Sequence, residues 1–420
     1  MHDIFSSSLS RIAPELYALG IKERDRLLNG INLIASENLP SLAVIEALTS
    51  FFSVKYAEGY PGKRYYSGCE FVDIVEETAR NLAKEIFGLD HANVQPHSGA
   101  QANHAVFEAI LNDGDTILAL SLDQGGHLTH GHKVNFSGKR YNVVFYSVDK
   151  ETQLINFDEV EYLAEKHKPK LIIAGSSAYS RVLEFDKFGE IARKVSAYLL
   201  ADIAHYAGLI AGGHYPSPDS ADFVTTTTHK TLRGPRGGLI LCKGEFKEKI
   251  DRAVFPFLQG GPHMHTIFAK AICFKICQTE EFKRYTKTVI ENARKLCSGL
   301  IRQGFKVVTG GTDCHMFLLD LTDLNITGKE AQDILERVGV FVNKNTIPYD
   351  PRPPAICSGI RLGTPFITSL GVEPEQMDIV AEILGDAILR RKNEEIISTK
   401  VRDFSKEVYK MCGIFDLYNR

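Results

Sequence analysis

Val224-Thr-Thr-Thr-Thr-His-Lys-Thr-Leu-Arg-Gly-Pro-Arg-Gly-Gly238 decides how the rest of the chain is read. Val224 and the threonines Thr225 to Thr228 favour an extended backbone, because branching at Cβ restricts χ1 and suits a pleated surface. The strand is expected to stop at His229 and Lys230. Gly234, Pro235, Gly237 and Gly238 then impose a turn, and Leu239, Ile240 and Leu241 read as the next strand. Lys230 thus falls at a strand end, beside backbone able to approach a ligand closely. A lysine there is either a solvated cation or a nucleophile. No carboxylate lies nearby in sequence to pair it, and Arg233 and Arg236 favour the neutral amine, as burial would. A neutral amine forms Schiff bases with carbonyls. On this stretch alone both readings stand.

Working outward, the 420 residues suit two domains rather than one. Forty-nine basic against 52 acidic side chains give a net charge of -3, so no basic excess points to nucleic acid or an anionic membrane, and any anion site must be local. The 8 cysteines include no CxxC pair; Cys273 and Cys277 fall four apart on an expected helix, which reads as buried thiols in a reducing compartment, with neither disulfides nor structural zinc. The opening residues Met1 to Ser10 hold Asp3 and no long apolar core, so no signal or transit peptide is visible; no apolar run reaches membrane length, and a cytoplasmic protein is expected.

Along the chain, Ile12 to Asn29 reads as a helical arm, and Ile31 to Ile34 as an extended piece leading to Ser36, Glu37 and Asn38. Tyr56 to Tyr66 is too irregular for a helix and too aromatic for a plain loop; it suits a binding loop or aromatic packing at a subunit contact. The spacing of Val72, Val75, Ala79, Leu82, Ala83 and Ile86 predicts a helix to Phe87, stopped by Gly88. Ala92 to Gln95 reads as a strand, and Gln101 to Leu111 as a helix. The intervening His97-Ser-Gly-Ala100 is either a phosphate-binding helix N-terminus or a simple cap.

Strand candidates Thr116–Leu120, Asn142–Val148, Leu171–Ala174 and Tyr198–Ala201 alternate with helical patterns at Phe157–His167 and Phe185–Val195. This predicts a mainly parallel sheet flanked by helices, with ligands outside the carboxyl ends of the strands. Ser177, Asp202 and His205 each follow an apolar strand and so belong to that crevice. Beyond about residue 280 the pattern changes: a long helix near Glu281–Gln303, strands at Lys306–Val308 and His315–Leu321, capping-box spacing at Thr327 and Glu330, extended pieces near Val340 and Ile360, and a last helix near Glu375–Arg391. Residues 1–280 are therefore expected to form an arm and a large domain, and 281–420 a smaller α+β domain.

Several motifs together carry a family resemblance. Thr225–Gly238, Tyr56-Ala-Glu-Gly-Tyr-Pro-Gly-Lys-Arg-Tyr-Tyr66, Asn93-Val-Gln-Pro-His-Ser-Gly99, Gly125-Gly-His-Leu-Thr-His-Gly131 and Ser358-Gly-Ile-Arg-Leu-Gly-Thr-Pro365 resemble, in order, segments of the serine hydroxymethyltransferases, from about Leu33 to Gly371. The resemblance implies a fold-type-I pyridoxal-phosphate enzyme with a mainly parallel seven-stranded-type sheet, exchanging serine and glycine with tetrahydrofolate. It implies Lys230 as the Schiff-base lysine with His229 beside it, Asp202 on the ring nitrogen, and Ser98, Gly99 and Ala100 at the phosphate. Tyr56, Gly260 and Gly261 of a neighbouring subunit would assist there. His127 and Ala204 would cover the two ring faces, and Ser177 and His205 would bond the phenolic oxygen region. Arg361 and Ser36 would hold the substrate carboxylate, and Glu58 would move protons at the serine hydroxyl with Tyr65 and Tyr66 close by. Leu122, Gly125, Gly126, Leu128, Asn345 and, across the subunit contact, Phe255 resemble folate positions, to which Glu58 and Tyr65 also belong. The implied assembly is a homodimer or homotetramer.

The chain departs from that pattern at Ala100, where Ser is common, at Phe257-Leu258, which usually begins with Gly, at Ser176, where Phe is usual, and at Tyr206, bulkier than the common aliphatic. These bear on folate affinity and on the amino acid used. A 2-methylserine hydroxymethyltransferase, a folate-independent 3-hydroxy amino acid aldolase and a non-catalytic binding protein, with RNA as one candidate ligand, are the competing readings. His127, His130 and His132, or His263 with His265, lack thiolate or carboxylate partners at ligand spacing, so no metal is expected.

Overall fold

The computed structural model describes residues 6–409. Its centre is a seven-stranded sheet: β1 (His91–Asn93), β2 (Thr116–Leu120), β3 (Asn142–Tyr146), β4 (Leu171–Gly175), β5 (Tyr198–Asp202), β6 (Phe223–Thr227) and β7 (Gly238–Cys242), in the spatial order β1-β7-β6-β5-β4-β2-β3. Strands β3, β2, β4, β5 and β6 run parallel, and β7 lies antiparallel to both β6 and β1. Leu171-Ile-Ile-Ala-Gly175 is buried at every position, as are all five residues of β6 and β7. Strands covered on both faces need continuous apolar or small side chains rather than alternation, which is why these runs were readable.

Helices Phe157–His167 and Phe185–Val195 occupy the residues expected. Elsewhere hydrogen bonding, not periodicity, sets the ends. The extended stretch expected to reach Thr228 stops at Thr227, because Thr228 turns inward to donate from Oγ1 to the Pro235 carbonyl at 2.6 Å. The strand expected over Ala92–Gln95 is His91–Asn93, and the next helix begins at Gly99 rather than Gln101, since Ser98 caps it by accepting from the Gln101 N–H. The arm is broken by Ala13 into Leu9–Ile12 and Pro14–Leu28. A final helix, Glu394–Val408, was not anticipated.

Helix Met264–Cys277, which follows Gly260-Gly-Pro262, packs on Glu70–Phe87 and Leu42–Leu48 in the core around the large sheet. A second core gathers Leu296, Phe317, Leu319, Ile360, Leu362, Leu384 and Val401 with Ile31 and Leu33. Its sheet orders β8 (Lys306–Val307), β9 (Met316–Asp320), Gly359–Gly363 and Asn343–Asn345. Ile31–Asn32 pairs in parallel with Val340–Phe341, tying the N-terminal segment to this core. The capping box at Thr327 and Glu330 is formed in both directions. Among the described residues the seven cysteines are free and buried, and no helix is long and apolar enough to cross a membrane.

The Tyr56–Tyr66 loop is a small hairpin pairing Gly59–Tyr60 with Lys63–Arg64. Its Arg64 turns inward, donating to Asp73 Oδ1 at 2.8 Å, Glu76 Oε2 at 2.6 Å and the carbonyls of Ala57 and Gly59. Glu76 is buried and also accepts from Gln95 Nε2. Deleting one partner of such a pair strands the other charge, so Arg64→Met should lower unfolding free energy by about 3–5 kcal/mol at neutral pH. Urea denaturation read by circular dichroism checks this.

Candidate active site

Three strand ends converge on one cavity of about 210 Å³. Asp202 closes β5, Lys230 lies three residues beyond β6, and Ser98 caps the helix that follows β1. The cavity is lined by these three with Gly99, Ala100, His127, Ser177, Ala204, His205 and His229, all singled out in the sequence. Asn103, His130, Ser176, Thr227 and Arg236 complete the wall.

Asp202 is buried, and three donors converge on it: Asn103 Nδ2 and His130 Nε2 at 2.9 Å each to Oδ2, and the Ala204 N–H at 3.1 Å to Oδ1. Burial pushes its pKa up, but the His130 bond and charge, with His127 and Asn103, hold it well below the usual carboxylate range. The group is therefore an anion at any physiological pH. Lys230 faces the opposite balance. Desolvation lowers its pKa to about 8 against the attraction of Asp202, with Arg361 and Arg236 adding to the depression. Its amine is thus substantially neutral just above neutrality, and the nucleophile reading of the sequence gains a physical basis.

The ring tautomers follow from the hydrogen bonds on the far side of each imidazole. His130 Nδ1 accepts from the His127 N–H at 3.3 Å, so its proton sits on Nε2 and points at Asp202. His127 Nδ1 accepts from the Thr129 N–H at 3.2 Å, and burial lowers its pKa to about 4. Sequence spacing alone left the histidines without a carboxylate; the fold supplies Asp202, whose oxygen lies within 4.8 Å of His127 and His130 ligand atoms.

Asn103 was missed by the sequence reading, although it stands four residues after Gly99 on one helical face. Its amide donates to Asp202 and Thr129 while its oxygen accepts from Thr225 Oγ1 at 2.6 Å, which links β5, β6 and the capped helix. His315 was missed as well. It stacks on His205 with centroids 5.4 Å apart and approaches it at 3.2 Å, and only the fold joins the two. Arg361, on the smaller sheet, is buried and donates from Nη1 to the Ser177 carbonyl at 2.5 Å and from Nε to Asn343 Oδ1 at 3.1 Å. Desolvation lowers its pKa to about 10, still a cation at neutrality. Ser36 lines an adjoining cavity of about 410 Å³ that shares His229 and Arg236 with the first.

Gly125 has φ of +108°, and its carbonyl accepts from the Ser177 N–H, Ala178 N–H and Ser176 Oγ, which fastens the Leu122–Leu128 segment beside the cavity. Gly126 packs so tightly that a Cβ would lie 2.1 Å from the Leu120 carbonyl. Leu128 is exposed, and Asn345 is half-buried in its strand. The departures at Ser176 and Tyr206 are well accommodated: Tyr206 is fully buried, stacks on Tyr215 at 4.7 Å and donates to the Tyr179 carbonyl at 2.8 Å.

The remaining predicted residues gather elsewhere. The Tyr56 and Tyr66 rings meet edge-on at 5.0 Å, Tyr65 meets Phe255 at 5.8 Å, Glu58 Oε1 lies beside Gly260, and the Tyr56 ring lies against Gly261. Glu58 raises the Tyr66 pKa. None of these residues lines the lysine cavity, and Tyr56, Tyr65 and Tyr66 are exposed, as are the nearby Phe51 and Val54.

The donor set matches a phosphorylated pyridine aldehyde. The cavity brings together the N-terminus of a helix at Ser98–Ala100, where backbone N–H groups could take an anion, the Asp202 carboxylate and the Lys230 amine; His229 Nδ1 is buried without a partner. A Cβ on Gly99 would stand 2.8 Å from Thr227 Cγ2, so the helix end sits directly on β6. Sheet and site together define a fold-type-I pyridoxal-phosphate enzyme. Residues 9–384 match the family described as serine hydroxymethyltransferase, and the chain belongs to that family, whose members depend on pyridoxal phosphate and use tetrahydrofolate.

A lysine whose folded pKa is depressed makes the folded state bind fewer protons than the unfolded chain between pH 8 and 10.5, so stability rises with pH across that window. In cofactor-free protein, Lys230→Met should be the more thermostable form below pH 8, with the gap closing toward pH 10.5. Melting temperatures across that range test the sign.

Proposed function

We propose that the protein transfers the hydroxymethyl carbon of serine to tetrahydrofolate, reversibly, giving glycine and 5,10-methylenetetrahydrofolate, as a homodimer or homotetramer in the cytoplasm. The observation that carries this reading is the division of the site residues into two groups on one chain. One is an internal cavity with an ionised Asp202 and a depressed Lys230; the other is an exposed acid-and-tyrosine cluster around Glu58. In this reading the second group completes a neighbour's cavity. The division near residue 280 into a cofactor-holding unit and a smaller unit that brings Arg361 belongs to the same proposal.

Bound pyridoxal phosphate supplies an aldehyde for the lysine and a ring that accepts charge released at the amino-acid α-carbon. The protein does the rest. Ser98, Gly99 and Ala100 receive the phosphate at the helix N-terminus, helped by the neighbour's Tyr56, Gly260 and Gly261. Asp202 keeps a proton on the ring nitrogen, His127 and Ala204 flank the ring, and Ser177 and His205 bond its oxygen. Arg361, with Ser36, clamps the substrate carboxylate, which fixes the bond at the α-carbon that is free to break. Glu58 exchanges a proton with the serine hydroxyl, with Tyr65 and Tyr66 beside it. Leu122, Gly125, Gly126, Leu128, Asn345 and the neighbour's Phe255 form the folate surface.

Turnover of serine should require tetrahydrofolate, and Lys230→Ala should lose the retained yellow chromophore. Serine cleavage indifferent to folate would favour the 3-hydroxy amino acid aldolase, and preference for 2-methylserine the other alternative. Subunit sharing has its own test. Lys230→Ala and Glu58→Gln, each inactive alone, should recover about a quarter of parental activity when unfolded and refolded together, because half the resulting dimers hold one intact site. No recovery in chains shown to mix would place Glu58 and Lys230 in the same subunit's site.

A further inference from the structure

Lys270 is buried on helix Met264–Cys277, and it makes no ion pair with a carboxylate among the described residues. Its ammonium has three N–H donors, and three main-chain carbonyls take them: Val94 at 2.6 Å, Gly238 at 2.7 Å and Pro96 at 3.1 Å. Three oxygens converging on a buried cation resemble the cage of a monovalent metal ion more than a salt bridge.

The carbonyls belong to the two backbone segments that frame the cofactor cavity. Val94 and Pro96 lie between β1 and the Ser98 cap. Gly238 opens β7 at the end of the Lys230 loop, and its own N–H donates to Pro96 O at 2.9 Å. A Cβ at Gly238 would stand 2.3 Å from the Ser98 carbonyl, and one at Gly237 would stand 2.5 Å from Lys270 Cε. One ammonium therefore fastens the approach to the helix end and the exit from the lysine loop to each other. Without it the Val94 and Gly238 carbonyls would lose this donor and only the Gly238 N–H bond to Pro96 would hold the two segments here, so the junction would loosen or admit water.

We propose that Lys270 is a positioning residue for the cofactor phosphate: its ammonium sets the backbone before Ser98 against Gly238, so that the Ser98–Ala100 helix end is preformed for an anion. This rests on reading the cavity as a pyridoxal-phosphate site. Burial pulls the Lys270 pKa down, opposed by Glu76, but three carbonyls face its nitrogen and a neutral amine has only two N–H donors, so the bonded form is the ammonium.

The test titrates cofactor-free, full-length parent, Lys270→Met and Gly237→Ala with pyridoxal phosphate and, separately, with pyridoxal, which lacks the phosphate. Gly237→Ala displaces the ammonium without deleting it, so it serves if the methionine variant does not fold. The expected result is about 10- to 100-fold weaker binding of pyridoxal phosphate with pyridoxal affinity nearly unchanged, the size expected for a lost set of charged hydrogen bonds. In Lys270→Ala, propylammonium should restore phosphate-dependent affinity and propanol should not. Equal weakening toward both ligands, or unchanged affinity for pyridoxal phosphate, would overturn the proposal. Failure of the parent to bind pyridoxal phosphate would instead overturn the cofactor reading beneath it.

Discussion

A carboxylate held ionised in the interior is the constraint to which the rest of this site answers. Burying Asp202 without donors would raise its pKa and favour the neutral acid. Asn103, His130 and the Ala204 N–H prevent that, and each comes from a different part of the chain. The partners are then fixed in turn. His130 must carry its proton on Nε2, and the backbone N–H of His127 secures that tautomer from the other side of the ring. Asn103 must orient its oxygen away from Asp202, and Thr225 Oγ1 donates to that oxygen. Strands β5 and β6 and the capped helix are thereby locked around one negative charge, which also limits how far the Lys230 amine is depressed.

The features legible in the sequence were those encoded within a few residues. Leu171–Ala174 and Tyr198–Ala201 announced buried parallel strands because both faces of each are covered. Ser98, Asp202 and Lys230 could be assigned to one crevice because each follows a strand. What could not be read depends on pairs far apart in the chain. His205 meets His315 across 110 positions, Lys270 meets Val94 across 176, and the carboxylate near His127 arrives from Asp202. Strand ends shifted by a residue or two where one side-chain bond, such as Thr228 to Pro235, outweighed propensity.

The departures from the family pattern also look different in three dimensions. Ser176 donates to the Gly125 carbonyl, and the Tyr206 ring fills buried space against Tyr215 while its hydroxyl donates to the Tyr179 carbonyl. The small residue and the large one are accommodated together, with their polar atoms satisfied. Phe257, by contrast, remains exposed next to the cis Phe255–Pro256 peptide.

The order of strands has a consequence for how the protein comes into being. β1 has one hydrogen-bonded neighbour, β7, which is made about 145 residues later in the chain. While a ribosome is still extending the chain, the segment ahead of Ser98 has no sheet to join, and the Lys230 loop has no closing strand. The Ser98 side and the Lys230 side of the cavity are therefore brought together only when β7 pairs with β1, after the Asp202 cluster between them has been made.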